Sequence, residues 1–165
     1  MTERAPPIDF ADFYRRHSPD VFRFAYYLCR NKADAEDIAS ETFVRAWAGA
    51  EKIQAETAKA YLLTIARNLH VQLATKARRE SALDDSHHDR SANPLERAEV
   101  RSDIEAVRER LLEMRETDRA AFLMRVVDEM SYEDIANALS ISLSSAKVRV
   151  HRARLSLADI RMRQT

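Results

Sequence analysis

The residues best equipped for chemistry stand in the last stretch of the chain. From Leu143 onward, Ala146, Val150, Ala153 and Leu157 recur at three- and four-residue intervals, so a helix here turns them towards a core. The same period turns Ser144, Ser145, Lys147, Val148, His151 and Arg152 outward, with Arg149 and Arg154 flanking. Hydroxyls, an imidazole and cations on one convex face suit a nucleic-acid groove: Ser and His meet base edges, while Lys and Arg meet phosphates. Between Lys147 and Arg163 there are six basic residues and one acid, Asp159. A solvated amphipathic helix with cations at its C-terminal dipole is the plainer alternative, and DNA contact is the favoured reading.

Two further groups stand out. Arg67, Lys76, Arg78 and Arg79 gather towards the end of a segment whose apolar side holds Tyr61, Leu62, Ile65, Ala66, Leu69 and Leu73. Ala35, Ile38, Ala39, Thr42, Phe43, Ala46 and Trp47 form a stripe expected to be buried, with Phe43 and Trp47 read as core. Asp34, Asp37, Glu41 and Arg45 lie opposite it; Glu41 and Arg45 alone would be an ordinary i, i+4 pair. No Ser/His/Asp, Cys/His or paired-carboxylate arrangement appears, so no catalytic residue is assigned and the chain reads as a non-enzyme. Cys29 is the one cysteine, which excludes an intrachain disulfide and reads as a small buried hydrophobe. His87 and His88 lack companions at ligand spacing, so neither a metal nor a cofactor is expected.

The elements that position these groups must be helices. The 165 residues include a single glycine, Gly49, and four prolines: Pro6, Pro7, Pro19 and Pro94. Without glycine for φ > 0 turns, hairpins, Rossmann loops and P-loops are disfavoured, and an all-α fold remains. The length suits two small domains of about 60–80 residues. Net charge is zero, from 27 basic and 27 acidic residues, yet the segments differ: 1–79 is +3, 80–118 is −6 and 119–165 is +3. Glu80 to Pro94 has almost no large apolar residue and reads as a linker. The expected organisation is a first domain over 8–79, a flexible acidic linker over 80–98 and a second domain over 99–163. No apolar run approaches the roughly 20 residues of a membrane span, and Met1 to Pro7 lacks a signal-peptide stretch, which points to a cytoplasmic protein without membrane insertion.

Within the first domain, helices are expected over Asp9–Leu28 with a bend at Pro19, over Ala33–Trp47, and over Ala58–Arg79 after a break near Gly49. The second opens with Leu95–Met114, carrying Val100, Ile104, Val107, Leu111 and Leu112, followed by Arg119–Asp128. Ser131-Tyr132-Glu133-Asp134 has the form of a capping box that opens a short helix to Leu139. A turn at Ser140-Ile141-Ser142 and a long helix to about Ile160 complete a helix-turn-helix pattern.

The residues from Leu111 to Leu157, LLEMRETDRAAFLMRVVDEMSYEDIANALSISLSSAKVRVHRARLSL, resemble region 4 of the extracytoplasmic-function (ECF) group of bacterial sigma factors. NKADAEDIASETFVRAWA resembles the region 2 helix that grips the RNA polymerase clamp, and AYLLTIARNLHVQLATKARR the helix that meets the −10 promoter element. The resemblance runs from about Phe10 to Leu157, in the family's order. It implies that Asp34, Glu36, Asp37 and Glu41 bind core RNA polymerase, and that the end of the same helix, at Phe43 and Trp47, can touch polymerase as well. It places Arg67, Asn68, Lys76, Arg78 and Arg79 at −10 promoter DNA, and Ser144, Ser145, Lys147, Val148, Arg149, His151 and Arg152 at the −35 element. It also implies an anti-sigma protein as a partner, and a base pocket in the loop at about Ala48–Thr57. Departures are Met114-Arg115 for Leu-Pro, Glu129, Ser140 and Ser144 for glycines, Gln72 for Asp and Tyr61 for Trp. A non-glycine in a left-handed turn costs roughly 1 kcal/mol or more, so the Ser140 turn is expected to be adjusted or mildly strained. Two other readings compete: a helix-turn-helix regulator that never binds polymerase, and a sigma-like decoy for an anti-sigma protein. The acidic helix argues against the first, and the DNA-facing cations argue against the second.

Overall fold

The computed structural model describes residues 8–83 and 103–163. In these residues seven helices are present and strands are absent: α1 (Phe10–Cys29), α2 (Lys32–Ala48), α3 (Ala58–Leu83), α4 (Asp103–Glu113), α5 (Glu116–Phe122), α6 (Tyr132–Leu139) and α7 (Leu143–Arg163). The linker from 84 on, the start of the predicted Leu95–Met114 helix, and His87 and His88 lie outside the described residues. Helix α3 takes in Glu80–Leu83, one turn beyond the predicted end.

Local chemistry sets the helix ends. The Asp9 carboxylate accepts from the N–H groups of Ala11 (3.1 Å) and Asp12 (3.4 Å) and opens α1. That helix runs through Pro19 without a break and ends at Arg30, which takes the left-handed conformation at φ 50°. Asn31 Oδ1 then accepts from Asp34 N–H at 3.0 Å and starts α2. Single 3-10 turns at Ala50–Lys52 and Ala55–Thr57 fill the break at Gly49. A Cβ on Gly49 would stand 2.8 Å from the Tyr61 hydroxyl oxygen, so the one glycine serves a close approach.

Helices α1, α2 and α3 pack on one another around Val21, Phe24, Leu28, Ile38, Leu62 and Ala66, each almost fully buried. Removing such side chains from water is worth about 1.5–3 kcal/mol apiece for the larger ones. The predicted α2 stripe holds from Ala35 to Ala46 and fails at Trp47. That residue is 59% exposed, its ring packed edge-on to Phe10 with centroids 4.5 Å apart. Trp47 is therefore a surface residue: one edge of its ring is covered by Phe10 at the start of α1, and most of the side chain stays open. Leu63, absent from the predicted apolar side of α3, is fully buried; α3 packs against α6 as well as α1 and α2, which covers more than one of its faces.

The second domain depends on less regular devices. Helix α5 continues into a π-helical turn at Leu123–Val127, closed by Asp128 N–H to Leu123 O at 3.1 Å. The wider turn shifts the buried face, so Met124 is fully covered while Val126 is exposed. Arg119, nearly buried, donates to the carbonyls of Leu111 (3.2 Å), Leu112 (3.5 Å) and Met114 (3.4 Å) and caps the end of α4. Ser131 Oγ accepts from Asp134 N–H at 3.1 Å, the predicted opening of α6. Ser140 ends it in the left-handed region at φ 54°, with Ile141 N–H reaching Ala136 O at 3.0 Å. Glu129 does the same work after the π turn, at φ 56° with Met130 N–H to Met124 O at 2.9 Å. Two of the three glycine-replacing positions are thus left-handed, whereas Ser144 is helical.

The domains also touch. Helix α3 packs on α6, and α1 on α4 and α5. Arg30, the residue that caps α1, pairs with Glu105 of α4, and Arg108 of α4 lies over the rings of Tyr26 and Tyr27, 5.9 and 5.5 Å from their centroids.

Candidate nucleic-acid interface

Helix α7 is held by its apolar side and its first turn. Ala146, Val150 and Ala153 are buried, and Leu157 packs against the core. Ser142 Oγ accepts from Ser145 N–H at 3.1 Å and lies 3.2 Å from Ser144 Oγ, so the turn serine caps the helix. Ser144, Lys147, Val148, His151, Arg152 and Arg154 are exposed on the other side; Ser145 is half-buried. Lys147 reaches back over the Tyr132 ring of α6, 5.9 Å from its centroid, and Arg125 lies over the same ring at 4.4 Å.

Arg149 differs from its neighbours. Its Nη1 donates to Asp118 Oδ1 at 2.9 Å, and Arg152 Nη1 stands 3.6 Å from Asp118 Oδ2. The Asp118 side chain is only 7% exposed, so this carboxylate at the start of α5 draws one guanidinium inward and partly offsets a second. Nothing in the sequence around Asp118 points to this role. An acid in the first turn of a helix, here beside Glu116, looks like a dipole partner, and its place under α7 depends on how the two helices pack.

The cations of α3 divide in the same way. Asn68, Lys76, Arg78 and Arg79 are exposed, with Lys76 3.9 Å from Glu80. Arg67 is half-buried, and its Nε and Nη2 donate to the two oxygens of Glu116 at 3.0 and 2.9 Å. Glu116 belongs to α5, in the other domain. Beside Arg67, His70 is buried, and burial together with the Arg119 charge holds its pKa below the ordinary imidazole value.

The acids of α2 lie elsewhere on the first domain. Glu36, Asp37 and Glu41 are exposed; Asp34 is half-buried, in the turn that Asn31 caps. Glu41 accepts from Arg45 Nε at 3.2 Å, the predicted i, i+4 pair. Val44, 62% exposed, and Trp47 continue this side of the helix: with Glu36, Asp37 and Glu41 they fall within about 140° of arc at 100° per residue. The surface is acidic and apolar together; the helical period alone puts Trp47 in the core, whereas its exposure puts it on this face.

Two other groups carry no such surface. Cys29 is half-buried, its Sγ–H donating to Asn31 O at 3.4 Å, and burial pushes its thiol pKa up. Among the described residues, no three His, Cys, Asp or Glu side chains are placed to hold a metal ion, and no helix is long and apolar enough to cross a membrane.

The chain matches Sigma-70 region 2 over residues 13–80 and Sigma-70 region 4 over residues 104–157. It belongs to the ECF group of the sigma-70 family. The ECF RNA polymerase sigma factor SigL of Mycobacterium tuberculosis is 30% identical over 159 residues, covering 89% of this chain and 88% of SigL. The ECF RNA polymerase sigma factor SigE of Mycolicibacterium smegmatis is 28% identical over 156 residues; the match covers 90% of this chain and 60% of SigE. Among solved structures, the sigma factor RpoE of Bartonella quintana, in complex with the anti-sigma factor NepR, superposes with a TM-score of 0.78. It is 26% identical, over 92% of this chain and 96% of RpoE. Helices α1–α3 are thus region 2, and α4–α7 are region 4.

Proposed function

We propose that this sigma factor docks on core RNA polymerase through α2 and contacts the two promoter elements through α3 and α7. Asp34, Glu36, Asp37 and Glu41 supply the acidic part of the polymerase contact, with Val44 and Trp47 as its apolar continuation; opposite charge sets the register of such a surface and apolar area adds affinity. Asn68, Lys76, Arg78 and Arg79, joined by Arg67 once it is released from Glu116, meet the −10 element. Ser144, Lys147, Val148, His151 and Arg152 read the −35 element, with Ser145 in the capping turn and Arg149 held behind them by Asp118. The chain performs no bond chemistry of its own; it acts in the cytoplasm as a dissociable specificity subunit. An anti-sigma protein is its regulator, as NepR is the partner of RpoE in the superposed structure.

The observation that carries this reading is the presence in one chain of a cationic helix-turn-helix and an exposed acidic-apolar helix, on separate domains. A stand-alone regulator needs only the first, and a decoy for an anti-sigma protein needs no exposed cations on α7. Run-off transcription with purified core polymerase and a promoter library tests it. The expected result is a defined subset of promoters transcribed only when the chain is added; absence of polymerase binding at low salt refutes it.

A further inference from the structure

The pairs that join the two regions have one polarity. Arg23 of α1, Arg30 at its C-terminal cap, and Lys59 and Arg67 of α3 supply the cations, and Glu105, Glu116 and Asp128 of region 4 supply the carboxylates. At Arg67, two nearly parallel N–H donors meet both oxygens of one carboxylate. This is also how a guanidinium grips a phosphate. At Asp128, Oδ1 lies 3.4 Å from both Arg23 Nη2 and Lys59 Nζ, while Asp20 of α1 holds the same two cations at 3.0 and 3.6 Å. The Asp128 side chain is 1% exposed, and Oδ2 has no hydrogen-bond partner.

We propose that the carboxylate face of region 4 is an intramolecular competitor for nucleic acid: Glu116 occupies the Arg67 guanidinium in place of a phosphate, and Asp128 anchors the closed arrangement through Arg23 and Lys59. Contact with the −10 element then requires the two regions to part. The proposal rests on the reading of Arg67 as a −10 contact. The latch is built to be reversible. Ion pairs repay the desolvation of a buried carboxylate poorly. Asp128 has one oxygen unsatisfied, and burial raises its pKa against the pull of Lys59 and Arg23. A polyanion that presents phosphates to Arg67 competes for the bonds that Glu116 makes.

The test uses the full chain and four forms: wild type, Glu116→Gln, Arg67→Gln and the double variant. Small-angle scattering reads the radius of gyration, and fluorescence anisotropy reads binding to a short labelled DNA duplex of arbitrary sequence at low salt. Glu116→Gln is expected to enlarge the particle and tighten duplex binding, by close to tenfold if about a tenth of the wild-type molecules are open. Arg67→Gln is expected to enlarge it without tightening. Unchanged dimensions and affinity in Glu116→Gln overturn the latch. Enlargement with tightening that survives Arg67→Gln in the double variant shows instead that the domains part but Arg67 meets no phosphate, which overturns the reading beneath the proposal. Arg67→Glu combined with Glu116→Arg guards against misfolding: the swap must restore the compact dimensions and leave duplex binding weak, and a swap that stays enlarged also overturns the latch.

Discussion

The pairing of Arg149 with Asp118 makes a sharp prediction for DNA binding. Each phosphate neutralised by a protein cation contributes about 0.9 to the slope of log K against log salt. Lys147 is exposed on α7 with no carboxylate partner among the described residues. Lys147→Ala should therefore flatten the slope by about 0.9, equivalent to about 3.5-fold in affinity over a fourfold salt range. Arg149 sits two positions on, but its charge is spent on a carboxylate 2.9 Å away. Arg149→Ala should leave the slope unchanged and lower stability by about 1–3 kcal/mol, because Asp118 loses its shorter charged hydrogen bond while buried. Asp118→Asn should steepen the slope, by up to about 0.9 if Arg149 reaches a phosphate once released. The assay is anisotropy of a labelled duplex over a salt series, beside urea unfolding of each variant. If Arg149→Ala flattens the slope as much as Lys147→Ala does, Arg149 leaves Asp118 for a phosphate in the complex and the reasoning fails.

Other expectations concern stability and docking. Ser140→Gly and Glu129→Gly should each stabilise region 4 by roughly 1 kcal/mol, since both residues stand at positive φ where glycine has no Cβ penalty. Ser144→Gly should destabilise by about 0.5–1 kcal/mol, since it lies in a helix; denaturant midpoints that move all three the same way contradict the backbone assignment. His70 has a folded pKa below its unfolded value of about 6.5, so the unfolded chain binds the proton first as pH falls. Stability should be intact above about pH 6.5 and fall as pH drops towards the folded value, and His70→Gln should remove part of that slope in unfolding midpoints. Asp37→Arg should weaken binding to core polymerase while leaving duplex binding through α7 unchanged. Loss of both would mean misfolding.

Much of the fold follows from short-range rules that read directly off the chain. The α7 core positions, the Ser131 cap, the turn at Ser140–Ser142 and the break at Gly49 each depend on residues within a few positions of one another. The candidate residues were legible as groups for the same reason, because a helical period sorts side chains into faces. A period does not say which face meets which neighbour. Leu63 is buried because α3 has partners on more than one side, and Trp47 stays exposed because little beyond the Phe10 ring covers it. The π turn after Phe122 shifts a register that an ideal helix pattern would have kept.

The sequence by itself determined an all-α protein of two small domains, one with an acidic helix and the other with a cationic helix-turn-helix. The scarcity of glycine and the local hydrophobic periods are enough for that. Only the tertiary structure decided which cations stand open. Lys147, Arg78 and Arg79 look outward, whereas Arg149 is drawn to Asp118 and Arg67 to Glu116. The partners are 31 and 49 positions apart, so no local rule foresees them. An ion pair depends on where two distant backbones come to rest, and that is fixed by the packing of whole helices rather than by neighbours along the chain.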